Sequence, residues 1–412
     1  MKRRNAAFGF VFATVAIDML GFGMIAPVLP KLVLSMAGSD SAHASAIFAL
    51  FGTIFAVMQF VSSPVLGVLS DRIGRRPVIV LSTLGLGLDY VLMALAPSLP
   101  WLFVGRVISG VTSANTATAG AYIADVVPAE KRAASFGLLG AAFGIGFVVG
   151  PAVGGLLGAI SPRLPFWFAA GLSIANALYG ALVLPESLAR DLRRPFTWSR
   201  ANPIGSLALL RSHRELFGLA GVMFLSVFAG ACLPSVYVLY TTYRYAWDER
   251  TVGLSLALVG ICSVVVQALL MKPIVARFGE RMSLAAGLLC GGLGMAVYGL
   301  APNGFAFSLG TPILMLWGLS SAAQSMMTHR VGPGEQGELQ GAIGSLRGVA
   351  TLAGPALFPL TFAAAIGPLR NLGVPGAPWF LAAAMLVGSM LLALAVTRRD
   401  SVTTEATEAT AA

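Results

Sequence analysis

The chain has 412 residues, 57% of them hydrophobic and only 11% charged, with a mean hydropathy of +0.83. A soluble domain carries about a quarter charged residues, so this composition excludes a water-soluble globule and describes an integral membrane protein. The formal charge of +10 would suggest nucleic acid in a soluble chain, but here its distribution over membrane loops sets orientation, and no nucleic-acid partner is expected.

A helix needs about 20 apolar residues to cross roughly 30 Å of hydrocarbon. Such windows recur twelve times, at 9–29, 44–66, 78–97, 101–122, 134–158, 164–184, 215–240, 251–271, 283–301, 305–328, 339–363 and 377–397. None is cut into the short alternating pieces of a barrel. The predicted fold class is therefore all-α, an integral membrane protein of twelve transmembrane helices.

Met1-Lys2-Arg3-Arg4 before the first window imitates a secretory signal, but Asp18 and the length of the apolar run argue against cleavage. Asp18 lies about nine residues into that window, where a charged carboxylate costs several kcal/mol unless it is paired or hydrated. It is either a group that takes up and releases protons beside a wet cavity or a permanent partner in an ion pair or interhelical hydrogen bond. Gln59, in the second window, is a hydrogen-bonder of the cavity or glue between helices.

Between the second and third windows, Gly67-Val68-Leu69-Ser70-Asp71-Arg72-Ile73-Gly74-Arg75-Arg76-Pro77-Val78 packs four charges and two glycines into a tight basic connection, expected on the cytoplasmic face. Asp71 can cap a helix N-terminus, where the dipole favours negative charge, and Arg72 and Arg75 can reach Asp125 at the end of the fourth window. Asp89, in the third window, has the same two readings as Asp18. Arg106 in the fourth shares a face with Ser109, Gly110 and Ser113 at 100° per residue. That stripe lines either a water-filled cavity or a close helix contact. In the fifth window Gly144, Gly150, Gly154 and Gly155 permit close helix approach, and Pro151 frees a carbonyl and kinks its helix.

The stretch 185–214 is polar, with Arg-Arg-Pro and Asn-Pro dipeptides that mark a loop. In the second half Cys232, Cys262 and Cys290 sit in apolar windows as packing residues, and His43, His213 and His329 are scattered, so no metal site or catalytic triad is expected. Nor is there a Gly-x-x-x-x-Gly-Lys-Ser/Thr phosphate loop, so no ATP chemistry and no cofactor are expected. Gln267 has the same alternatives as Gln59. Gln340, Arg347 and Thr351 share one side of the eleventh helix, and a polar stripe at that depth must face the interior. Arg347 is either a fixed partner for Asp18 or Asp89 or a binding group for an anionic substrate. The Thr/Glu/Ala tail 398–412 is expected to be disordered.

Of the 27 Lys and Arg residues, twenty fall on the side of the N-terminus and five (Lys31, Arg163, Arg244, Arg250 and Arg370) on the other, which places both termini in the cytoplasm. An internal repeat organises the chain. Gly150-Pro151 superposes on Gly354-Pro355 at an offset of 204 that also aligns Gly137, Gly140 and Gly144 with Gly341, Gly344 and Gly348. Arg72, Gly74 and Arg76 echo Arg277, Gly279 and Arg281. The organisation expected is a six-helix half 1–184, a cytoplasmic linker 185–214, a six-helix half 215–397 and the tail.

The loop 67–78 closely resembles the signature between the second and third helices of the major facilitator superfamily, which implies the major facilitator fold. Gly21-Phe22-Gly23-Met24-Ile25-Ala26-Pro27, Leu88-Asp89-Tyr90, Gly120-Ala121-Tyr122-Ile123-Ala124-Asp125, the run 143–155, Trp247 and Gln336-Gly337-Glu338-Leu339-Gln340-Gly341 resemble the tetracycline-efflux branch of its drug/proton antiporters. The likeness implies that Asp18 and Asp89 handle protons and that Arg106 is the arginine set beside the proton site. It implies a cytoplasmic gate of Gly67, Asp71, Arg72, Arg75 and Asp125, and an antiporter motif of Gly144, Gly150, Pro151, Gly154 and Gly155. The chain departs from the branch at Ser263, where those pumps carry a functional His, and at Gly291, where they carry an intramembrane Asp.

The expected function is proton-coupled efflux of a small amphipathic drug-like compound, tetracycline-type or multidrug, by alternating access. The cavity would draw on Gln59, Ser113, Gln267, Gln340, Arg347 and Thr351. The setting is the bacterial inner membrane, with protons, a small-molecule substrate and the lipid bilayer as partners and a monomer as the working unit. The alternatives are a transporter of an anionic metabolite anchored by Arg347 and a non-transporting ligand sensor. No nucleophile and base lie at a spacing that would make an enzyme.

Overall fold

A computed structural model describes residues 2–38, 40–113, 115–127, 129–193, 195, 214–331 and 336–411. The helices of the first half are α1 (Lys2–Ile25), α2 (Leu29–Ala37), α3 (Ser41–Ile73), α4 (Arg75–Leu95), α5 (Leu99–Thr112), α6 (Asn115–Val126), α7 (Ala129–Ile160) and α8 (Leu164–Val183). The second half contributes α9 (Arg214–Gly230), α10 (Cys232–Tyr245), α11 (Glu249–Val265), α12 (Met271–Leu300), α13 (Gly304–Met315), α14 (Ala322–His329), α15 (Gln336–Ile366) and α16 (Ala377–Ala411). A helix lies over each of the twelve apolar windows.

Among the described residues nine segments are long and apolar enough to cross a membrane. The longest, Glu249–Leu300, covers two windows and is broken at Gly279, whose φ of 76° is non-helical. Two shorter apolar helices, Leu99–Thr112 and Gly144–Ile160, fall in two further windows. In the fourth window, Thr112 and Ser113 at the end of α5 turn their hydroxyls back on the carbonyls of Ile108 and Ser109. Leu182, Ile160 and Phe305 are 85%, 76% and 74% exposed, a solvent-averse surface that suits lipid.

Local chemistry explains most boundaries. Pro27 follows the end of α1, where a missing N–H and a ring clash stop a helix. Asp40 caps α3 by accepting from the N–H groups of Ala42 (2.9 Å) and His43 (3.3 Å). Gly74, at φ 109°, closes α3 and opens α4. The last carbonyls near the end of α4 receive the Arg163 guanidinium, at 3.2 Å to Ala94 and 2.9 Å to Ala96.

By Cα packing the chain divides into two units, residues 1–203 with 241–260, and residues 204–240 with 261–412. In the first, α1 packs on α7 and α4 on α8, around a core of Met24, Val28, Phe51, Met93, Leu102 and Phe166. In the second, α12 packs on α16, repeating the third-to-sixth pairing, while α9 packs on α16 as well as on α15. Its core is aromatic. Tyr298 stacks on Phe307 at 3.8 Å, and the Trp379 indole stands nearly perpendicular to Tyr298 and Tyr240.

Two details differ from the sequence expectation. Residues 241–260, from the second half, pack with the first, and Lys31 joins them by donating to the Trp247 carbonyl at 2.7 Å and pairing with Glu249 at 3.5 Å. The backbone of 398–411 continues α16 instead of ending in a disordered tail. That segment has no Gly or Pro to stop a helix, and its Ala, Glu and Arg residues favour one, although its threonines do not.

Candidate functional site

Three structural features bring the sequence-predicted residues together. Inside the first unit, Asp18 on α1, Asp89 on α4 and Arg106 on α5 are 7%, 1% and 8% exposed. All three lie near the Tyr90 side chain, which is itself 3% exposed and uncharged. The Ser109 hydroxyl donates to Asp89 Oδ2, one turn from Arg106 on the same helix. Asp89 Oδ1 and Arg106 Nε are buried and make no hydrogen bond among the described residues, and the Arg106 guanidinium lies 4.3 Å from the centre of the Phe55 ring on α3. Gly21 gives Tyr90 a close seat, since a Cβ there would sit 3.3 Å from its ring. Tyr90 and Phe55 carry no charge and therefore do not stand out in an apolar window, although the sequence shows Tyr90 beside Asp89.

The stretch 67–78 forms the second feature: it is helical except at Gly74, and Asp71 lies near the C-terminal end of α3, not at a helix N-terminus as expected. Arg75 pairs with Asp71 at 2.7 Å and with Asp125 at 3.3 Å, and donates to the Ser70 hydroxyl at 2.6 Å. Arg72 is exposed and has no ion-pair partner among the described residues, so Arg75 alone of the expected two reaches Asp125. The first N–H of α4 donates to Glu186 Oε1 at 2.9 Å, which also accepts from the backbone of Ser187 and Leu188. Glu186 comes within reach because Gly74 has no Cβ to obstruct it. Around Gly67 the space a Cβ would fill is open, so close packing does not account for that glycine.

The third feature is a cavity of about 230 Å³ within the second unit, lined by Ser226, Gln267, Trp317, Gln324 and Arg347, with Ser320, Ser321 and apolar side chains completing it. Arg347 Nη2 donates to Gln324 Oε1 at 2.8 Å, and Trp317 Nε1 to Ser226 Oγ at 2.8 Å. Two of its walls depart from α geometry: 266–270 is a π turn carrying Gln267, and 316–321 a 3₁₀ stretch carrying Trp317. Irregular backbone at membrane depth is tolerated where it lines a cavity, and π turns gather at functional sites.

Ser263 and Gly291 each adjoin one of the residues that line the cavity. At position 263 the serine hydroxyl receives the Gln267 amide at 2.8 Å. At 291 a Cβ would lie 3.0 Å from Trp317, so glycine there makes room for the indole. Ser226, Trp317 and Gln324 were not anticipated. The available signal was their polar groups inside apolar windows.

The other expected cavity residues lie apart from these contacts. Ser113 and Thr351 spend their hydroxyls on carbonyls of their own helices, Ser109 and Arg347 respectively. Gln59 is half-buried on α3, and the Gln340 side chain lies outside the described residues.

Along α7, the glycine motif lets backbones touch. A Cβ on Gly150 would lie 2.8 Å from Gly23 Cα of α1, one on Gly154 would collide with Met24, and one on Gly155 would lie 2.8 Å from Gly253 Cα of α11. Pro151 sits in the same crossing, against Gly23 and Gly253, while Gly144 is half-buried farther up the helix. With no Cβ at those crossings, α7 is held between α1 and α11 at backbone contact.

The family model for the Major Facilitator Superfamily matches residues 11–355. The tetracycline resistance protein, class C, of Escherichia coli is 37% identical over 391 residues, covering 93% of this chain and 95% of that protein. The class G protein of Vibrio anguillarum is also 37% identical, over 361 residues, covering 86% and 89%. Among solved structures, the nucleoside transporter NupG superposes with a TM-score of 0.75 at 14% identity, covering 95% of this chain and 99% of that one.

Proposed function

This chain belongs to the Major Facilitator Superfamily, and on that premise we propose that it exports a small amphipathic drug-like compound, tetracycline-type or multidrug, in exchange for protons. It is a multi-pass membrane transporter, not an enzyme. We place it in the bacterial inner membrane, as for its tetracycline-resistance relatives, and take its basic loops to set both termini in the cytoplasm, with a monomer as the proposed working unit.

The observation that carries the proposal is the buried cluster of Asp18, Asp89 and Arg106 around Tyr90. An ionised Asp89 is stabilised by the Ser109 hydroxyl and the field of Arg106. Protonation removes that attraction and leaves the Arg106 guanidinium to the Phe55 ring of α3. Proton occupancy thereby biases the α3, α4 and α5 packing, which is the differential interaction that a coupled conformational change requires. Export follows when halves rock about a central site, with Arg75, Asp71 and Asp125 as contacts that close one face and the glycine crossings of α7 as the seal.

In everted membrane vesicles expressing the protein, substrate addition should release protons from a preformed gradient, and a panel of tetracyclines and other amphipathic drugs would identify which. Asp89→Asn and Asp18→Asn should reduce that exchange to background while the protein still reaches the membrane. Wild-type exchange that persists in the double variant would overturn the proposal.

A second reading has an observation of its own. Arg347 lines the second-unit cavity with a neutral amide, Gln324, as its hydrogen-bond partner, which leaves charge available for an anionic substrate. Arg347→Gln should then abolish uptake or efflux of carboxylate-bearing compounds and spare neutral ones. Equal loss of both classes would rule that reading out.

A further inference from the structure

A cavity of about 680 Å³ opens at the end of the bundle that carries the loop 67–78, where the first turn of α4, the last turn of α8 and the segment after α8 meet. Its size falls in the range of small-ligand sites, roughly 300–1,000 Å³. Three guanidiniums, of Arg76, Arg190 and Arg193, line it against one carboxylate, Glu186. That carboxylate is already engaged, since its Oε1 accepts three backbone N–H groups and its Oε2 stands 3.9 Å from Arg193. Arg193 Nε is buried and finds no acceptor among the described residues, and Arg76 spends one nitrogen on the Ala181 carbonyl. The local charge is therefore strongly positive and incompletely answered by protein.

The rest of the lining is apolar, with Pro77, Val80, Leu81, Ala181, Leu188 and Ala189. Leu81 lines the cavity on the membrane-spanning part of α4 and is 62% exposed. A site that joins a basic pocket at a helix end to an apolar strip on the bilayer side matches a molecule with an anionic head and a hydrocarbon tail. We propose that this cleft binds the headgroup of an anionic phospholipid, with the phosphate between Arg76, Arg190 and Arg193 and an acyl chain along Leu81. A free phosphate would use the guanidiniums and have no use for the apolar wall. The proposal does not depend on the transport reading, because the cavity is built from the outer ends of α4 and α8 and the segment that follows.

The test uses full-length protein purified in detergent and titrated with phosphatidylglycerol, the bound lipid being counted by native mass spectrometry. Phosphatidylcholine with the same acyl chains serves as the neutral control. Arg190→Gln with Arg193→Gln should weaken phosphatidylglycerol binding roughly thirty-fold, the effect of two arginines beside an anionic surface. Arg190→Gln alone should weaken it about five-fold, and it keeps the test available if the double variant does not fold. Lys272→Gln with Arg277→Gln, which removes the same charge elsewhere, should leave binding unchanged. The proposal fails if the control pair loses as much as the site pair, if the site pair loses nothing, or if phosphatidylcholine binds as tightly. It also fails if inorganic phosphate at millimolar concentration displaces the lipid, which would assign the site to a free anion.

Discussion

At the scale of single residues, an indole takes the space that a glycine leaves. Gly291 stands against the Trp317 side chain, and Trp317 in turn donates to Ser226 on α9. Gly291→Asp should therefore destabilise the protein by about 1–3 kcal/mol through overpacking, read as a lower midpoint of thermal unfolding in detergent. Trp317→Ala in the same chain should recover most of that loss. If Gly291→Asp leaves the midpoint unchanged, the ring does not occupy the space argued here. The charged members of the site were legible from sequence because a carboxylate or guanidinium inside an apolar window is costly and therefore conspicuous. Tyr90, Phe55 and Trp317 were not, since an aromatic side chain in such a window is ordinary and only the fold reveals what it touches. Glu186 escaped for the opposite reason: acidic residues in polar connections are common, and its role depends on a helix 111 residues earlier.

At the scale of helices, hydropathy located the spans and missed their irregularities. The π turn at 266–270 and the 3₁₀ stretch at 316–321 leave no mark on apolar content, because both are set by what the backbone lines and not by how greasy it is. Glycine spacing was more informative. The run from Gly144 to Gly155 announced close packing, and the structure supplies the partners, α1 on one side and α11 on the other. Gly150→Ala introduces one methyl group against Gly23 Cα, 2.8 Å away. The atoms it meets are all backbone of α1, with no flexible group to yield, so the expected cost is about 1–3 kcal/mol. Gly171→Ala, where the same methyl would meet open space, is the matched control and should be near neutral. Comparable unfolding midpoints for the two would show that the crossing is looser than the backbone distances state.

At the scale of the whole molecule, the repeat read from Gly-Pro and Arg-Gly-Arg offsets reappears in the packing, since α1 with α7 and α4 with α8 correspond to α9 with α15 and α12 with α16. Periodic glycines carry such information because duplicated helices need their close contacts at equivalent turns. Sequence could not tell that residues 241–260 leave their own half and settle against the first, with Gly253 on Gly155 and Glu249 on Lys31. That arrangement has a practical consequence. Two polypeptides translated separately, 1–195 and 214–412, would share an interlock made of the second piece's own helix, so an affinity tag on one should bring down the other without any peptide bond between them. Lys31→Ala together with Gly253→Leu should release the untagged piece, and retention of both at wild-type ratio would mean the interlock is not what joins them.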